Sequence, residues 1–434
     1  MRRTVVVEHL ARVEGHGGIT VELDGGEVSA VHFQIREGLR LLEGLVRGRS
    51  YEDISQIVSR ICAICSAAHS LTSLKATEQA FGVIPTEQTD VLRDLMFRGE
   101  NIESHALHLF LLALPDYLGY PSAVAMAADH PDAVRLGLRL KKLGNSIQET
   151  IGGRAVHPVN AVLGGFAKLP STDQLVALRK DLRQGMADRE LAIDLISSLA
   201  ATDYCESDTT YAALRQSGSH GYYRGDSVVF VSGEIEETAN ADSYNSVTAE
   251  QTVPHSHAKH SLYKGMPFMV GALARLAVNG VGSASNGSQT LTKLGLGAPF
   301  RSPMDNNKAQ AVELMLDIEH ALNTVEQLLD RGIEPEAPLP IQPRAGTGTA
   351  VTEAPRGLLV HTYDYDAEGV VKHANIVTPT AVNAASIENH IRRTVEQNNH
   401  DDTAVLTKKL EMIVRAYDPC ISCSVHLISK RHAD

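Results

Sequence analysis

Cysteine is scarce in this chain: 434 residues carry five, of which four form two C-x-x-C pairs (Cys62 with Cys65, Cys420 with Cys423) while Cys205 stands alone. So sparse and clustered a set excludes a secreted disulfide scaffold and reads as ligands or redox centres. Long apolar runs are also missing. Nothing approaches the roughly 18 uninterrupted apolar residues of a spanning helix, and the most apolar piece, Leu107 to Leu114, contains His108, so no membrane span is expected. The apolar stretch Val5-Val6-Val7 stops at Glu8 and His9, too short for a signal peptide; a cytoplasmic protein is expected. The net charge of -12 is spread without a run of five like charges, which leaves neither a nucleic-acid arm nor a disordered acidic tail. Repeats and low-complexity tracts are absent too. What remains is a globular composition, 43% hydrophobic, on a chain long enough for a large core.

Residues 1 to 36 read as strands. Ile19, Val21 and Leu23 alternate with polar neighbours, and after an Asp24-Gly25-Gly26 turn Val31, Phe33 and Ile35 alternate again. From Tyr51 the period becomes helical, with Ile54, Ile57, Val58 and Ile61 on one face. Further helices are expected over Arg93 to Leu114, from a capping-box start at Ser171 and Gln174 to about Leu199, over Lys308 to Arg331, over Thr380 to Asn398, and over Thr403 to Tyr417. Ile333 to Pro355, with five prolines and Gly346 and Gly348, is expected to be one long loop. The fold class is therefore mainly α with a small N-terminal β-sheet (α+β). We expect a helical-bundle core in a single domain over 1–434, with residues 1–40 as its β portion.

The three-residue spacing within each cysteine pair lets both sulfurs face one ion. Two such pairs suggest structural zinc, yet zinc ribbons separate their pairs by roughly 15–20 residues, whereas 354 (66 to 419) lie between Cys65 and Cys420. That separation suits a site where distant parts of one large fold meet, since loop-closure cost grows only logarithmically. Four thiolates favour nickel, zinc, copper(I) or iron-sulfur clusters; sulfur alone does not choose among them.

The flanking residues do. Arg60-Ile61-Cys62-Ala63-Ile64-Cys65 and Asp418-Pro419-Cys420-Ile421-Ser422-Cys423-Ser424-Val425-His426 resemble the two signature motifs of nickel-iron hydrogenase large subunits. Four further segments resemble motifs of that family in the right order: His9 to His16, Gly153-Arg154 with His157-Pro158, Gly271 to Arg275, and Glu353 to Gly357. The details are most similar to the cytoplasmic, NAD(P)-linked branch of the sulfhydrogenase alpha-subunit type.

The resemblance implies reversible heterolytic cleavage of dihydrogen. Cys62 and Cys420 would be terminal nickel ligands, and Cys65 and Cys423 would bridge nickel to an iron carrying carbon monoxide and cyanide. Cys420 or the guanidinium of Arg356 would serve at the proton-accepting step, and Glu14 would relay the proton outward. Glu43 and His426 would hold magnesium, or a second iron, near the C-terminus. It also implies partners: a small iron-sulfur subunit, flavin and iron-sulfur diaphorase subunits leading to NADP or NAD, and a maturation protease that removes a C-terminal extension, 427–434. The alternatives are a deazaflavin-reducing relative and a non-enzymatic scaffold stapled by zinc on four cysteines. Cys205 is expected to be a small buried apolar residue, and Arg60 to help keep the thiols ionised. His105 and His157 are expected to pack. His255, His257 and His260 have metal-like spacing but fall in a family segment with no metal role, so packing is expected of them too.

Overall fold

The computed structural model describes residues 3–38, 42–200, 202, 204–215, 221–225, 227–240, 244, 248–282 and 286–425. Strands β1 (Arg3–Val7), β2 (Gly17–Asp24) and β3 (Glu27–Ile35) form an antiparallel sheet in that order. The alternation expected from sequence is realised, since Ile19 pairs with Phe33 and Val21 with Val31, all turned to the core. Gly25 and Gly26 close the β2–β3 hairpin at positive φ, the backbone that a tight two-residue connection requires.

Helices follow. α1 (Tyr51–Val58) runs into a 3₁₀ turn at Ser59–Ile61, and α2 (Ser66–Phe81) starts directly after Cys65. Its first orphan donors, the amides of Ala67 and Ala68, are met by the buried carboxylate of Glu100 at 2.7 and 3.0 Å, and α2 ends at Gly82 in the left-handed region. Glu100 comes from α3 (Glu87–Leu107), which is capped by Thr86 and continues as a π-helical stretch at His108–Ala113 where the sequence pattern suggested unbroken α-helix. α3 crosses α4 (Pro131–Gly152) at Gly99 and Gly144, where a Cβ on Gly144 would lie 2.4 Å from the Gly99 carbonyl oxygen. α5 (Thr172–Ser197) opens with the expected Ser171–Gln174 capping box. Later come α6 (Ala272–Asn279), α7 (Asp305–Arg331), α8 (Pro379–Gln397) and α9 (Thr403–Ala416).

The sheets exceed the expectation of one at the N-terminus. β4 (Thr210–Arg215), β5 (Ser227–Ser232), β6 (Ile235–Asn240) and β7 (Phe268–Met269) are ordered β6-β5-β4-β7, with β4 and β7 parallel. The expected loop over 333–355 needs correction at its end. It lacks helix and strand only to residue 345, after which β8 (Gly346–Ala354) pairs antiparallel with β9 (Gly357–Tyr365), and β9 with β10 (Val371–Val377). The glycines there mark close approach rather than a turn: a Cβ on Gly348 would lie 1.9 Å from the Ala76 carbonyl oxygen of α2. One buried apolar cluster runs from Val5 to Val425 and takes in all four paired cysteines. The mainly helical fold class holds.

Candidate metal centre

The 3₁₀ turn delivers Cys62 in extended conformation, and the following turn brings the amides of Ile64 and Cys65 to 3.3 Å from the Cys62 sulfur, so the first pair is preset by local backbone. The second pair lies on a short 3₁₀ segment, Ile421–Ser424, held by the Cys420 amide donating to Thr380 Oγ1 at the start of α8 (2.9 Å). The two pairs meet. Cys62 Sγ lies 3.4 Å from Cys420 Sγ and Cys65 Sγ 3.7 Å from Cys423 Sγ, and all four sulfurs are buried within 4.8 Å of one another. Thiolates on one tetrahedral metal at about 2.3 Å would stand about 3.8 Å apart, so the spacing and the donor set fit a soft metal. The Cys420 and Cys423 sulfurs also touch each other; both would bind a metal as thiolates.

Glu14 binds this segment through both backbone and side chain. Its carbonyl accepts from the Ile421 amide (2.9 Å), and its Oε2 accepts from the Ser422 amide (3.0 Å) and from Cys420 Sγ (3.2 Å). Ser422 Oγ donates to Oε1. Gly15, at φ +87°, allows the approach, because a Cβ there would sit 2.9 Å from Ile421 Cβ and the Ser422 nitrogen.

Arg356 stands with Pro355 at the tip of the β8–β9 hairpin. It donates from Nε to the Asp418 carbonyl (2.6 Å), from Nη2 to Asp418 Oδ1 (2.9 Å) and from Nη1 to Ser104 Oγ (3.3 Å). Burial alone would lower its pKa, but the negative charges of Asp418, Cys62, Cys65 and Glu14 outweigh it and keep the guanidinium charged. Hydrogen bonding with Cys65 and then the Arg356 charge hold the Cys62 thiol below its ordinary value against the effect of burial, while Cys65, bonded to that sulfur and buried, is pushed well up. Arg60 does not share this task. Its side chain is exposed and donates to the Gln56 carbonyl, because the 3₁₀ turn carries it to the outer face.

Glu43 accepts from the Ile376 amide (3.0 Å) and lines a small pocket with Thr378, Cys423 and Val425. Thr378 Oγ1 is buried there without a hydrogen-bond partner, an oxygen that fits a hard cation. His426, expected as its nitrogen ligand, lies outside the described residues, as does 427–434. Cys205 is buried, its sulfur 3.7 Å from the His390 carbonyl. His105 binds Glu313 (2.8 Å) and His157 the Ser59 carbonyl (3.0 Å), both packing roles. Sequence reasoning missed Asp418 and Glu100. Asp418 had a signal, two residues before Cys420; Glu100 had none, since nothing in a mid-helix glutamate foretells capping of another helix.

A buried cage of four convergent cysteine sulfurs with a carboxylate on one of them defines a thiolate-ligated metal-binding protein. The family model described as nickel-dependent hydrogenase matches residues 40–150 and 203–426, and one described as HoxL-like matches 4–37. Sulfhydrogenase 1 subunit alpha of Pyrococcus furiosus is 40% identical over 98% of both chains, and sulfhydrogenase 2 subunit alpha of the same organism 37% identical over 98% of this chain and 99% of that one. Among solved structures, an NAD+-reducing [NiFe]-hydrogenase in its H2-reduced state superposes with a TM-score of 0.87 at 28% identity, covering 98% of this chain and 99% of that one. This chain belongs to the nickel-dependent hydrogenase family and is a catalytic hydrogenase subunit. Among the described residues no helix is long and apolar enough to cross a membrane.

Proposed function

We propose that the chain cleaves and forms dihydrogen at a nickel-iron pair, with Cys62 and Cys420 as terminal nickel ligands and Cys65 and Cys423 as bridges to an iron carrying carbon monoxide and cyanide. The observation that carries this reading is the meeting of the four sulfurs with Glu14 hydrogen-bonded to one of them, Cys420. Bound there, the metals supply the Lewis acidity that polarises dihydrogen. The protein's own groups then handle the proton. Cys420 Sγ accepts it, and Glu14 Oε2, 3.2 Å away, takes it outward. Arg356, fixed by Asp418, presents its positive charge to the sulfurs and favours their ionised form. Glu43, with Thr378 and His426, holds magnesium or a second iron beside the Cys423 segment.

Electrons leave through an iron-sulfur small subunit and flavin-containing diaphorase subunits to NADP or NAD, in the cytoplasm. The NAD+-reducing relative supports this acceptor, and the cysteine count supports a partner that carries the clusters. Infrared spectroscopy of the purified complex tests the centre, with carbon monoxide and cyanide bands expected where protein does not absorb. Zinc alone, without those bands, overturns the proposal. Glu14→Gln tests the relay: dihydrogen oxidation falls by about 10²–10⁴-fold, with nickel content unchanged by elemental analysis.

A further inference from the structure

Away from the cysteine centre, β3, α8 and the segment between residues 250 and 263 bring together His32, His255 and Glu388, each offering one donor atom within 4.8 Å of the others. We propose that these three, completed by His260, form a second metal site that takes a borderline divalent cation of the zinc type. Three imidazoles and a carboxylate are a donor set such ions favour. His255 Nε2 lies 2.7 Å from Glu388 Oε1 and His260 Nδ1 3.8 Å from Glu388 Oε2. Nitrogen and oxygen ligands at 2.0–2.1 Å from one zinc stand about 3.3 Å apart, between those two separations. The rings of His32 and His255 have centroids 4.3 Å apart, and those of His255 and His260 5.6 Å.

The unmet hydrogen-bonding capacity is what separates this cluster from packing. His32 Nδ1 is buried without a hydrogen-bond partner, and His260, only 6% exposed, turns Nδ1 toward Glu388 while its opposite nitrogen, Nε2, is also unpartnered. Buried imidazole nitrogens in a packing cluster normally find one. Glu388 Oε1 also accepts from the Phe33 amide at 2.8 Å, which fixes the carboxylate as an outer contact fixes a ligand. The His255 and Glu388 side chains each keep 18% exposure, so an ion has a way in. His257, the middle histidine of its run, is elsewhere: its amide donates to the Ile35 carbonyl and its ring meets the Glu37 carbonyl. The ion would pin the N-terminal sheet to α8, whose first turn holds the Cys420 amide.

The test uses the full-length chain carrying Cys62→Ser, Cys65→Ser, Cys420→Ser and Cys423→Ser, so that the cysteine centre holds no zinc. After equilibration with zinc ion and dialysis, elemental analysis is expected to give one zinc per chain, falling at least tenfold when His255→Gln and Glu388→Gln are added. Should the serine-substituted chain fail to fold, zinc-edge X-ray absorption on zinc-equilibrated wild-type complex decides. A shell of nitrogen and oxygen with imidazole scattering, lost in the His255→Gln/Glu388→Gln complex, is expected. No retained zinc, equal zinc in the histidine-glutamate variant, or a shell of sulfur alone overturns the site.

Discussion

Arg93 and Arg275 are fully buried, and each is tied to buried carboxylates. Arg93 grips Glu78 with both terminal nitrogens (2.8 and 2.7 Å) and reaches Tyr223 Oη and the Val162 carbonyl, while Glu78 also accepts from the Gly164 amide. Arg93→Met would strand the Glu78 charge, and denaturant unfolding is expected to show a loss of about 3–5 kcal/mol. Arg275 is shared between Glu313 and Glu353, one guanidinium for two carboxylates. Burial pushes Glu353 up to about 7 against the lowering effect of Arg275. That folded-state value exceeds the ordinary 4.5, so the folded chain keeps a proton that the unfolded chain has released. This contribution to stability is therefore complete below about 4.5 and is lost as pH rises through about 7. Melting temperatures should fall across that window, and Glu353→Gln should flatten the fall; an unchanged slope in the variant would assign it to other groups.

Close approach between elements depends on small residues. β8 lies against α2 through Gly348, and α3 against α4 through Gly99 and Gly144. Gly348→Ala must displace backbone, not a flexible side-chain end, so a loss of about 1–3 kcal/mol or more is expected in thermal or chemical unfolding; a neutral result would mean that the sheet slides on the helix without cost. These contacts also explain what was legible beforehand. The β2–β3 hairpin, the capping box of α5 and the long period of α7 are local signals, and each element falls within a few residues of its expected place. β8 was hidden because its glycines mimic a loop while serving a distant helix. β4 to β7 were hidden because short strands acquire meaning only from their partners. At the centre, the cysteine motifs were legible from spacing and flanks. The Glu100 cap joins distant segments and leaves no local trace, and of the histidine-glutamate cluster only the spacing of His255 and His260 showed beforehand, while His32 and Glu388 come from distant elements.

At the scale of the whole molecule, electron flow is constrained by arithmetic: five cysteines less four at the centre leave Cys205 alone, too few for an iron-sulfur cluster. The metal-loaded chain by itself is expected not to reduce NADP or NAD with dihydrogen, and addition of the partner subunits should restore the reaction. Pyridine nucleotide reduction by the isolated chain, followed by absorbance, would show that electrons leave by another route.

The meeting of Cys62 with Cys420 across 358 positions also imposes an order of events on biosynthesis. At roughly 5–20 residues per second, a ribosome needs on the order of tens of seconds between making the first sulfur pair and making the second. Throughout that interval the early thiols have no companions, so any ion captured then is held by half a cage. Loading by all four sulfurs therefore waits until Cys423 has emerged from the ribosome.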